Sequence, residues 1–169
     1  MKKALIIIDI QNDYLYDKRL KKFNYDTNTV INNINNTINK YKEDSDIIYI
    51  SHLINNLPTN RLLFGYSIKG TIGAELYKDL NIVSNYKFNK YLPSAYTNNK
   101  FKKFMKENNY DEVYICGLDN CGCVYHTAQS ALKKEKKVYI IKNCTFSCFK
   151  KNKVNKVNNK LKILGANFI

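Results

Sequence analysis

Arginine, long apolar runs and paired cysteines are scarce in this chain of 169 residues. Arginine occurs only at positions 19 and 61, so lysine supplies nearly all of the basic charge behind a net charge of +14. Because bidentate recognition of bases and phosphates prefers arginine, we expect no specific nucleic-acid partner. No apolar stretch approaches the roughly 20 residues that a bilayer span needs, so no membrane segment is expected either.

The sequence also lacks the features of secreted and metal-dependent proteins. Asp9 and Asp13 interrupt the short apolar run near the amino terminus, and no small-residue cleavage site follows, which argues against a signal peptide. Five cysteines are an odd number, which favours free thiols over a disulfide framework. Their spacings match no zinc ribbon or finger, and no Cys-x-x-Cys pair occurs. We therefore predict a cytoplasmic protein without a metal or another cofactor.

Apolar runs of strand length alternate with segments of helical period along the chain. This pattern is typical of a parallel sheet with helices on both faces. We predict an α/β fold, a Rossmann-like three-layer α/β/α sandwich with a mostly parallel central sheet of about six strands, in one domain of residues 1–169. The predicted strands are 4–8, 46–51, 82–88, 112–117, 137–142 and 166–169, and the predicted helices are 26–41, 74–80, 98–108, 123–134 and 154–164.

Three chemically distinct groups follow the predicted strands: Asp9, the region 88–90 and the turn 117–124. Ligands of doubly wound sheets bind beyond the carboxyl ends of the strands. The sequence therefore predicts a site at this edge of the sheet.

The turn GLDNCGCV at 117–124 leads a strand into a helix and carries Cys123. Asp119 or Asn120 is the expected N-cap, which places Cys123 in the first helical turn. Free backbone N–H groups and the positive end of the helix dipole favour a thiolate there and can bind an oxyanion. The alternative is that Cys123 is a small core residue.

Asp9 closes an apolar strand, where a carboxylate needs a partner or a task. It can accept the proton of a thiol and later protonate an amine leaving group, or it can be a structural acceptor for a loop. Lys90 follows the third predicted strand and would act as a counter-charge. From composition alone, Lys90 would be interpreted as one more surface lysine.

Five segments together resemble the isochorismatase-like cysteine hydrolases, the superfamily of the nicotinamidase-related amidohydrolases. The family pattern combines Asp-x-Gln-Asn/Asp-x-aromatic, Gly-Thr-x-Gly-Ala-Glu, a lysine shortly before Ser-Ala-aromatic, and Gly-x-x-Thr-x-x-Cys-Val. The order and spacing of these motifs are highly specific, and they extend over nearly the whole chain. The matching segments are ALIIIDIQNDY at 4–14, IKGTIGAEL at 68–76, KYLPSAY at 90–96, VYICGLDNCGCVYHTAQSAL at 113–132 and VYIIKN at 138–143.

The resemblance implies a catalytic triad of Asp9 as base, Cys123 as nucleophile and Lys90 as the lysine. Lys87 competes for the last role, but Lys90 has the commoner spacing to Ser94. The implied reaction is hydrolysis of a small amide or related C–N bond through a thioester, and the family also implies a homo-oligomer.

The family further places a cis peptide just before the nucleophile turn, which here is the bond between Leu118 and Asp119. It assigns the oxyanion hole to the backbone N–H groups of Asp119 and Cys123. The usual Thr of the turn is Asn120 in this chain.

Two departures narrow the expected chemistry. Nicotinamidases that bind a metal carry Asp-x-His after the second strand, where this chain has Leu53 and Asn55, so we predict no such metal site. True isochorismatases lack the nucleophilic cysteine, which this chain keeps as Cys123. Amide hydrolysis is therefore favoured.

Aromatic residues near the predicted edge suit the walls of a pocket for a small amide. We predict that Tyr14, Tyr91, Tyr96 and Asn120 bind the substrate. His52 is a further wall residue or a structural one, and His126 either pairs with Cys123 or packs beneath the turn. The alternative function is a non-catalytic member of the same fold, whose basic surface binds an acidic partner. Phe64 and Tyr66 also lie on segments expected near the cleft.

Overall fold

A computed structural model of the chain describes residues 1–135 and 137–169. The strands of these residues form one six-stranded parallel sheet in the order β3-β2-β1-β4-β5-β6, which confirms the predicted fold class. The strands are β1 (Lys3–Ile8), β2 (Asp46–His52), β3 (Lys87–Lys90), β4 (Glu112–Gly117), β5 (Val138–Thr145) and β6 (Asn167–Phe168). The helices are α1 (Asn12–Leu15), α2 (Thr27–Tyr41), α3 (Pro58–Leu63), α4 (Asn99–Asn108), α5 (Tyr125–Ala131) and α6 (Lys151–Ile163).

The central strand β1 is buried on both faces because its apolar side chains alternate between two helical layers. Ala4, Ile6 and Ile8 lie in one core cluster, and Leu5 and Ile7 lie in the other. The first cluster includes residues of α4, α5 and α6, and the second includes residues of α1 and α2. The result is the three-layer arrangement that the apolar runs predict.

Several predicted elements differ from those in the structure. The helix at 74–80 is replaced by a single 3-10 turn at Ile72–Ala74, because the next residues pair with the segment after β1 instead of coiling. Asn12 N–H donates to the Glu75 carbonyl at 3.0 Å and Tyr77 N–H donates to the Ile10 carbonyl at 2.9 Å.

The third strand is shorter than the predicted 82–88 and begins only at Lys87. The Tyr49 hydroxyl lies between the Asn81 carbonyl at 2.8 Å and the Val83 N–H at 3.1 Å, so at these two residues the backbone bonds to a side chain instead of forming a strand ladder. The last helix begins at Lys151, one turn before the predicted residue 154, and α5 begins at Tyr125 instead of residue 123. The short helices α1 and α3 have no counterpart in the predicted elements.

The strand order places β1 and β4 side by side at the centre, where the order of the strands reverses. A crevice for ligands opens at such a point, beyond the carboxyl ends of the strands. Among the described residues, no helix combines the length and the apolarity that a bilayer span requires.

Candidate active site

Asp9 immediately follows β1 and is only 2% exposed. Its φ of +55° lies in the left-handed region, which aspartate tolerates better than most side chains. Its N–H donates to the Ile50 carbonyl of β2 at 2.8 Å, which holds the residue at the central crevice. One carboxylate oxygen, Oδ1, is buried without a hydrogen-bond partner.

Lys90 ends β3 and joins the other two members of the predicted triad. Its Nζ donates to Asp9 Oδ2 at 2.8 Å and to Cys123 Sγ at 3.0 Å. The residue is 1% exposed, whereas Lys87 is exposed at the start of the same strand. The structure thus brings Asp9, Lys90 and Cys123 into one buried contact, and Lys87 stays outside it.

The nucleophile turn, residues 117–124, begins with a close contact between β4 and β1. A Cβ on Gly117 would lie 2.1 Å from the Ile8 carbonyl oxygen, so only glycine fits there. The peptide between Leu118 and Asp119 is cis, as the resemblance implies. An irregular helical turn, Asn120–Val124, then carries Cys123.

Asp119, and not Asn120, caps this turn: its Oδ1 accepts the Cys121 N–H at 2.7 Å. Its carbonyl accepts the Gly122 N–H at 3.0 Å and the Val124 N–H at 3.1 Å, and Asn120 N–H donates to the Phe146 carbonyl at 2.8 Å. Four amides of residues 119–124 therefore donate to the protein itself. The remaining two amides of the turn, those of Asp119 and Cys123, are the predicted oxyanion donors.

Charges and burial at the triad determine its resting protonation. Burial, followed by the charge of the Asp9 carboxylate, raises the pKa of the Cys123 thiol to about 12, although Lys90 opposes the shift. Burial disfavours the charged form of Lys90, but Asp9 and Cys123 outweigh it and the pKa of Lys90 is raised. The resting site thus holds a neutral thiol beside an ammonium group. The expectation that the helix end favours a resting thiolate is wrong, because desolvation of the sulfur is the larger effect.

His52 ends β2 and is the register partner of Lys90 in β3. Its Nδ1 is buried without a hydrogen-bond partner, and burial, followed by the charge of Lys90, lowers its pKa to about 4. The buried Gln11 side chain accepts the His52 N–H at 2.8 Å and donates to its carbonyl at 3.0 Å. His52 is therefore a neutral, firmly held group beside the triad.

The aromatic residues assigned to the pocket separate into two groups. Burial raises the pKa of Tyr14, and the charges of Asp9 and Cys123 add to the effect, so this ring lies beside the triad. Burial and Cys123 raise the pKa of Tyr66 in the same way. Tyr91, next to Lys90, is 47% exposed.

The structure does not bring Tyr96 to the triad. Its ring packs against Phe101 of α4 with centroids 5.0 Å apart, and its hydroxyl donates to Glu135 at 2.7 Å. Phe64 is exposed, and the centroid of its ring lies 6.3 Å from that of Tyr66. His126 is exposed and its ring contacts Tyr125.

Asn120 and Gln11 are the buried amides of the site. Asn120 is 5% exposed and its Oδ1 has no hydrogen-bond partner. Gln11, which clamps His52, was not predicted as a site residue, although it is the Gln of the Asp-x-Gln motif. The segment around Tyr25, which contacts the nucleophile turn, was also missed because it matches no motif.

The residues around His52 do not fit a metal ion. Leu53 is buried and apolar, and Asn55 is an exposed amide. In the part of the chain that the structure describes, no three His, Cys, Asp or Glu side chains form a group that could hold a metal. All five cysteines are free thiols.

Solved structures of other proteins share this fold over almost the whole chain. The pyrazinamidase/nicotinamidase of Streptococcus mutans is 22% identical, with a TM-score of 0.83 over 99% of this chain and 100% of that one. The pyrazinamidase of Pyrococcus horikoshii, in complex with zinc, is 25% identical, with a TM-score of 0.79 over 100% and 99%. N-carbamoylsarcosine amidase from Thermoplasma acidophilum is 20% identical, with a TM-score of 0.81 over 99% and 95%.

Sequence comparison gives a family match as well. The family model described as Isochorismatase domain matches residues 3–168. No curated protein sequence matches the chain.

Proposed function

Because the chain belongs to the isochorismatase family, we propose that it hydrolyses the C–N bond of a small amide, with Cys123 as the nucleophile. The observation that carries the proposal is the buried Lys90 ammonium, which donates to both Asp9 Oδ2 and Cys123 Sγ. Burial of an acid, a cation and a thiol around one contact costs stability, and such groups cluster at functional sites.

Acylation begins with transfer of the Cys123 proton to the Asp9 carboxylate. Since the thiol is neutral at rest, this transfer accompanies the attack of sulfur on the amide carbon. The C–S bond forms and the carbonyl π electrons move to oxygen. The N–H groups of Asp119 and Cys123 stabilise the resulting oxyanion.

Collapse of this intermediate breaks the C–N bond. Protonated Asp9 gives its proton to the leaving nitrogen, which departs as ammonia or an amine, and a thioester remains on Cys123. Asp9, again a carboxylate, then takes a proton from water as the water oxygen attacks the thioester. Expulsion of the sulfur, with return of the proton, releases the carboxylic acid and restores the thiol.

Lys90 keeps its proton throughout the cycle, in agreement with its raised pKa. Its charge stabilises the thiolate as it forms and holds the carboxylate of Asp9 in reach of the sulfur. Asp9 Oδ1, which has no hydrogen-bond partner, is the oxygen free to receive the proton.

Tyr14, Tyr66, Tyr91, His52 and Asn120 would line the substrate side of the triad. These rings and neutral polar groups suit a small planar amide better than a charged chain. Structural neighbours named for nicotinamide, pyrazinamide and N-carbamoylsarcosine suggest the first compounds to test.

The test is ammonia release from a panel of these amides by the wild-type chain and a Cys123→Ala variant. We expect turnover of at least one amide by the wild type, and a loss of about 10³-fold or more in Cys123→Ala with the fold retained by circular dichroism. Cys121→Ala, which removes the neighbouring thiol of the same turn, is the matched control and should keep its activity. Equal turnover by Cys123→Ala and the wild type would refute the proposal.

A further inference from the structure

We propose that Tyr25 and the Asp119 carboxylate are positioning residues that hold the nucleophile turn in its reactive geometry. The inference rests on the proposed role of Cys123 as the nucleophile. Tyr25 lies 94 positions before Asp119 in the chain, and its hydroxyl donates to Asp119 Oδ2 at 2.9 Å. It acts on Cys123 only through the backbone of the turn.

The Asp119 carboxylate joins three separate segments of the chain. Oδ1 accepts the Cys121 N–H at 2.7 Å and the Ser147 hydroxyl at 3.0 Å. Oδ2 accepts the Tyr25 hydroxyl at 2.9 Å and the Cys148 N–H at 2.7 Å. A carboxylate offers about four acceptor positions, so each of them is used. Asp119 therefore does more than cap a helical turn.

The segment that presents Tyr25 is itself fixed by Arg19, one of the two arginines of the chain. A planar guanidinium with five donors can hold several carbonyls at once. Its nitrogens donate to the carbonyls of Leu15 at 3.3 Å, Tyr16 at 2.8 Å, Phe23 at 2.6 Å and Tyr25 at 2.8 Å. Tyr25 is also only 6% exposed, so the surrounding side chains hold its ring and hydroxyl in place.

Asp119 couples this anchor to the proposed chemistry in two ways. Its own N–H is one of the two oxyanion donors of the proposed mechanism. Its carbonyl accepts the N–H groups of Gly122 and Val124, the residues on either side of Cys123. A shift of Asp119 would thus displace an oxyanion donor and the nucleophile together, and a misplacement of about 1 Å can cost roughly 100-fold in rate.

Electrostatics does not account for a role of Tyr25. The pKa of the Cys123 thiol is set by burial, Asp9 and Lys90. Burial and the Asp119 carboxylate raise the pKa of Tyr25, so it remains a neutral hydrogen-bond donor. Its contribution is therefore geometric, and its loss should lower kcat without weakening substrate binding.

The experiment compares two tyrosine-to-phenylalanine variants with the amide that the wild type hydrolyses. Tyr25→Phe removes only the hydroxyl, and we expect kcat to fall about fivefold to tenfold with KM unchanged. Tyr110→Phe is the matched control, because its hydroxyl donates to Asp46 Oδ2 at 2.7 Å in the same kind of bond, at the opposite edge of the sheet. Its kcat should equal that of the wild type.

Substitution of Asp119 provides a second measurement if Tyr25→Phe folds poorly. Asp119→Asn keeps one carbonyl oxygen for Cys121 and Ser147, but places an amide NH2 against the Cys148 N–H. Asp119→Ala loses all four bonds. We therefore expect kcat to decrease from wild type to Asn to Ala, and the turn 119–124 to exchange its amide hydrogens faster in the same order.

The two proposals fail in different ways. If Cys123→Ala is inactive but Tyr25→Phe and Asp119→Asn both keep the kcat of Tyr110→Phe, the positioning role is wrong and the proposed function stands. If Cys123→Ala keeps wild-type turnover, the proposed function is wrong and the positioning role falls with it. An equal loss of kcat in Tyr25→Phe and Tyr110→Phe would also overturn the positioning role, since it would show a general loss of stability.

Discussion

Two buried carboxylates lie at opposite edges of the central sheet, and each is near a lysine. Glu112 begins β4 at the amino edge, and Asp9 follows β1 at the carboxyl edge. Glu112 Oε2 accepts the Tyr114 hydroxyl at 2.8 Å, and Oε1 accepts that of Tyr139 at 3.4 Å. Both oxygens of Glu112 are therefore satisfied by phenols that have no acid–base task.

Asp9 differs from Glu112 in the partners of its two carboxylate oxygens and in the burial of its lysine. One oxygen is bound to Lys90 at 2.8 Å and the other is buried without a partner. The lysine near Glu112, Lys137, is 3.8 Å away and its side chain is 58% exposed, whereas that of Lys90 is 0% exposed. A buried carboxylate with an open oxygen beside a thiol can accept a proton without losing a hydrogen bond, whereas a carboxylate whose oxygens both accept hydrogen bonds must give one up. This contrast distinguishes the acid that we propose to be reactive from a structural one.

The largest expected effect comes from replacing Lys90, and Lys137 serves as its control. Lys90→Met leaves Asp9 buried without its counter-charge, so the free energy of unfolding should fall by about 3–5 kcal/mol. Turnover should fall by about 100-fold or more, because the forming thiolate loses its cation. Urea denaturation and amide hydrolysis measure the two effects.

Lys137→Met is the matched control for that experiment. Because the Lys137 side chain is mostly exposed, its loss should change stability by less than about 1 kcal/mol and leave turnover unchanged. A Lys90→Met protein as stable and as active as Lys137→Met would remove the distinction between the two edges.

Replacing each carboxylate by its amide tests how far Asp9 and Glu112 affect the reactivity of the Cys123 thiol. Asp9→Asn removes both the base and the negative charge that raises the pKa of Cys123. Turnover should be lost, yet iodoacetamide should label Cys123 faster at pH 8, by about tenfold for each unit by which the thiol pKa falls. Peptide mass spectrometry measures the labelling rate.

Glu112→Gln is the control here, since it changes a buried carboxylate far from the sulfur. It should leave both turnover and the labelling of Cys123 unchanged. Lys90→Met should slow the labelling, because Lys90 lowers the pKa of the thiol. Slower labelling in Asp9→Asn would show that Asp9 does not raise the thiol pKa.

The sequence is sufficient to predict the parallel sheet, because strands buried on both faces are continuous apolar runs. It is also sufficient to bring Asp9 and Cys123 to one edge, since both follow strands. Lys90 required the family pattern: in a chain so rich in lysine, nothing local distinguishes it from Lys87. Only the structure shows that one lysine is buried and the other exposed.

The failed predictions include features that depend on contacts between distant parts of the chain. Tyr49 holds the stretch before β3, and the strand therefore starts late. The resting thiol was missed because desolvation depends on packing that a linear pattern does not contain. Tyr25 was missed because its partner, Asp119, lies in the turn after β4, 94 positions further along the chain.

The smallest expected effect concerns His52, the third group with an open polar atom at the carboxyl edge. Burial and Lys90 lower its pKa to about 4 in the folded chain, against about 6.5 when unfolded. Between these values the unfolded chain binds a proton that the folded chain does not, so stability is lost as the pH falls through this window. From pH 7 to pH 5 the loss attributable to His52 should be about 2 kcal/mol.

Urea denaturation at both pH values should therefore show a smaller decrease in the free energy of unfolding in His52→Leu than in the wild type. His126→Gln, which replaces the exposed histidine of α5, should keep the wild-type decrease. Equal decreases in the wild type and His52→Leu would mean that the imidazole can be protonated in the folded site, and that the carboxyl edge is less desolvated than its buried triad indicates.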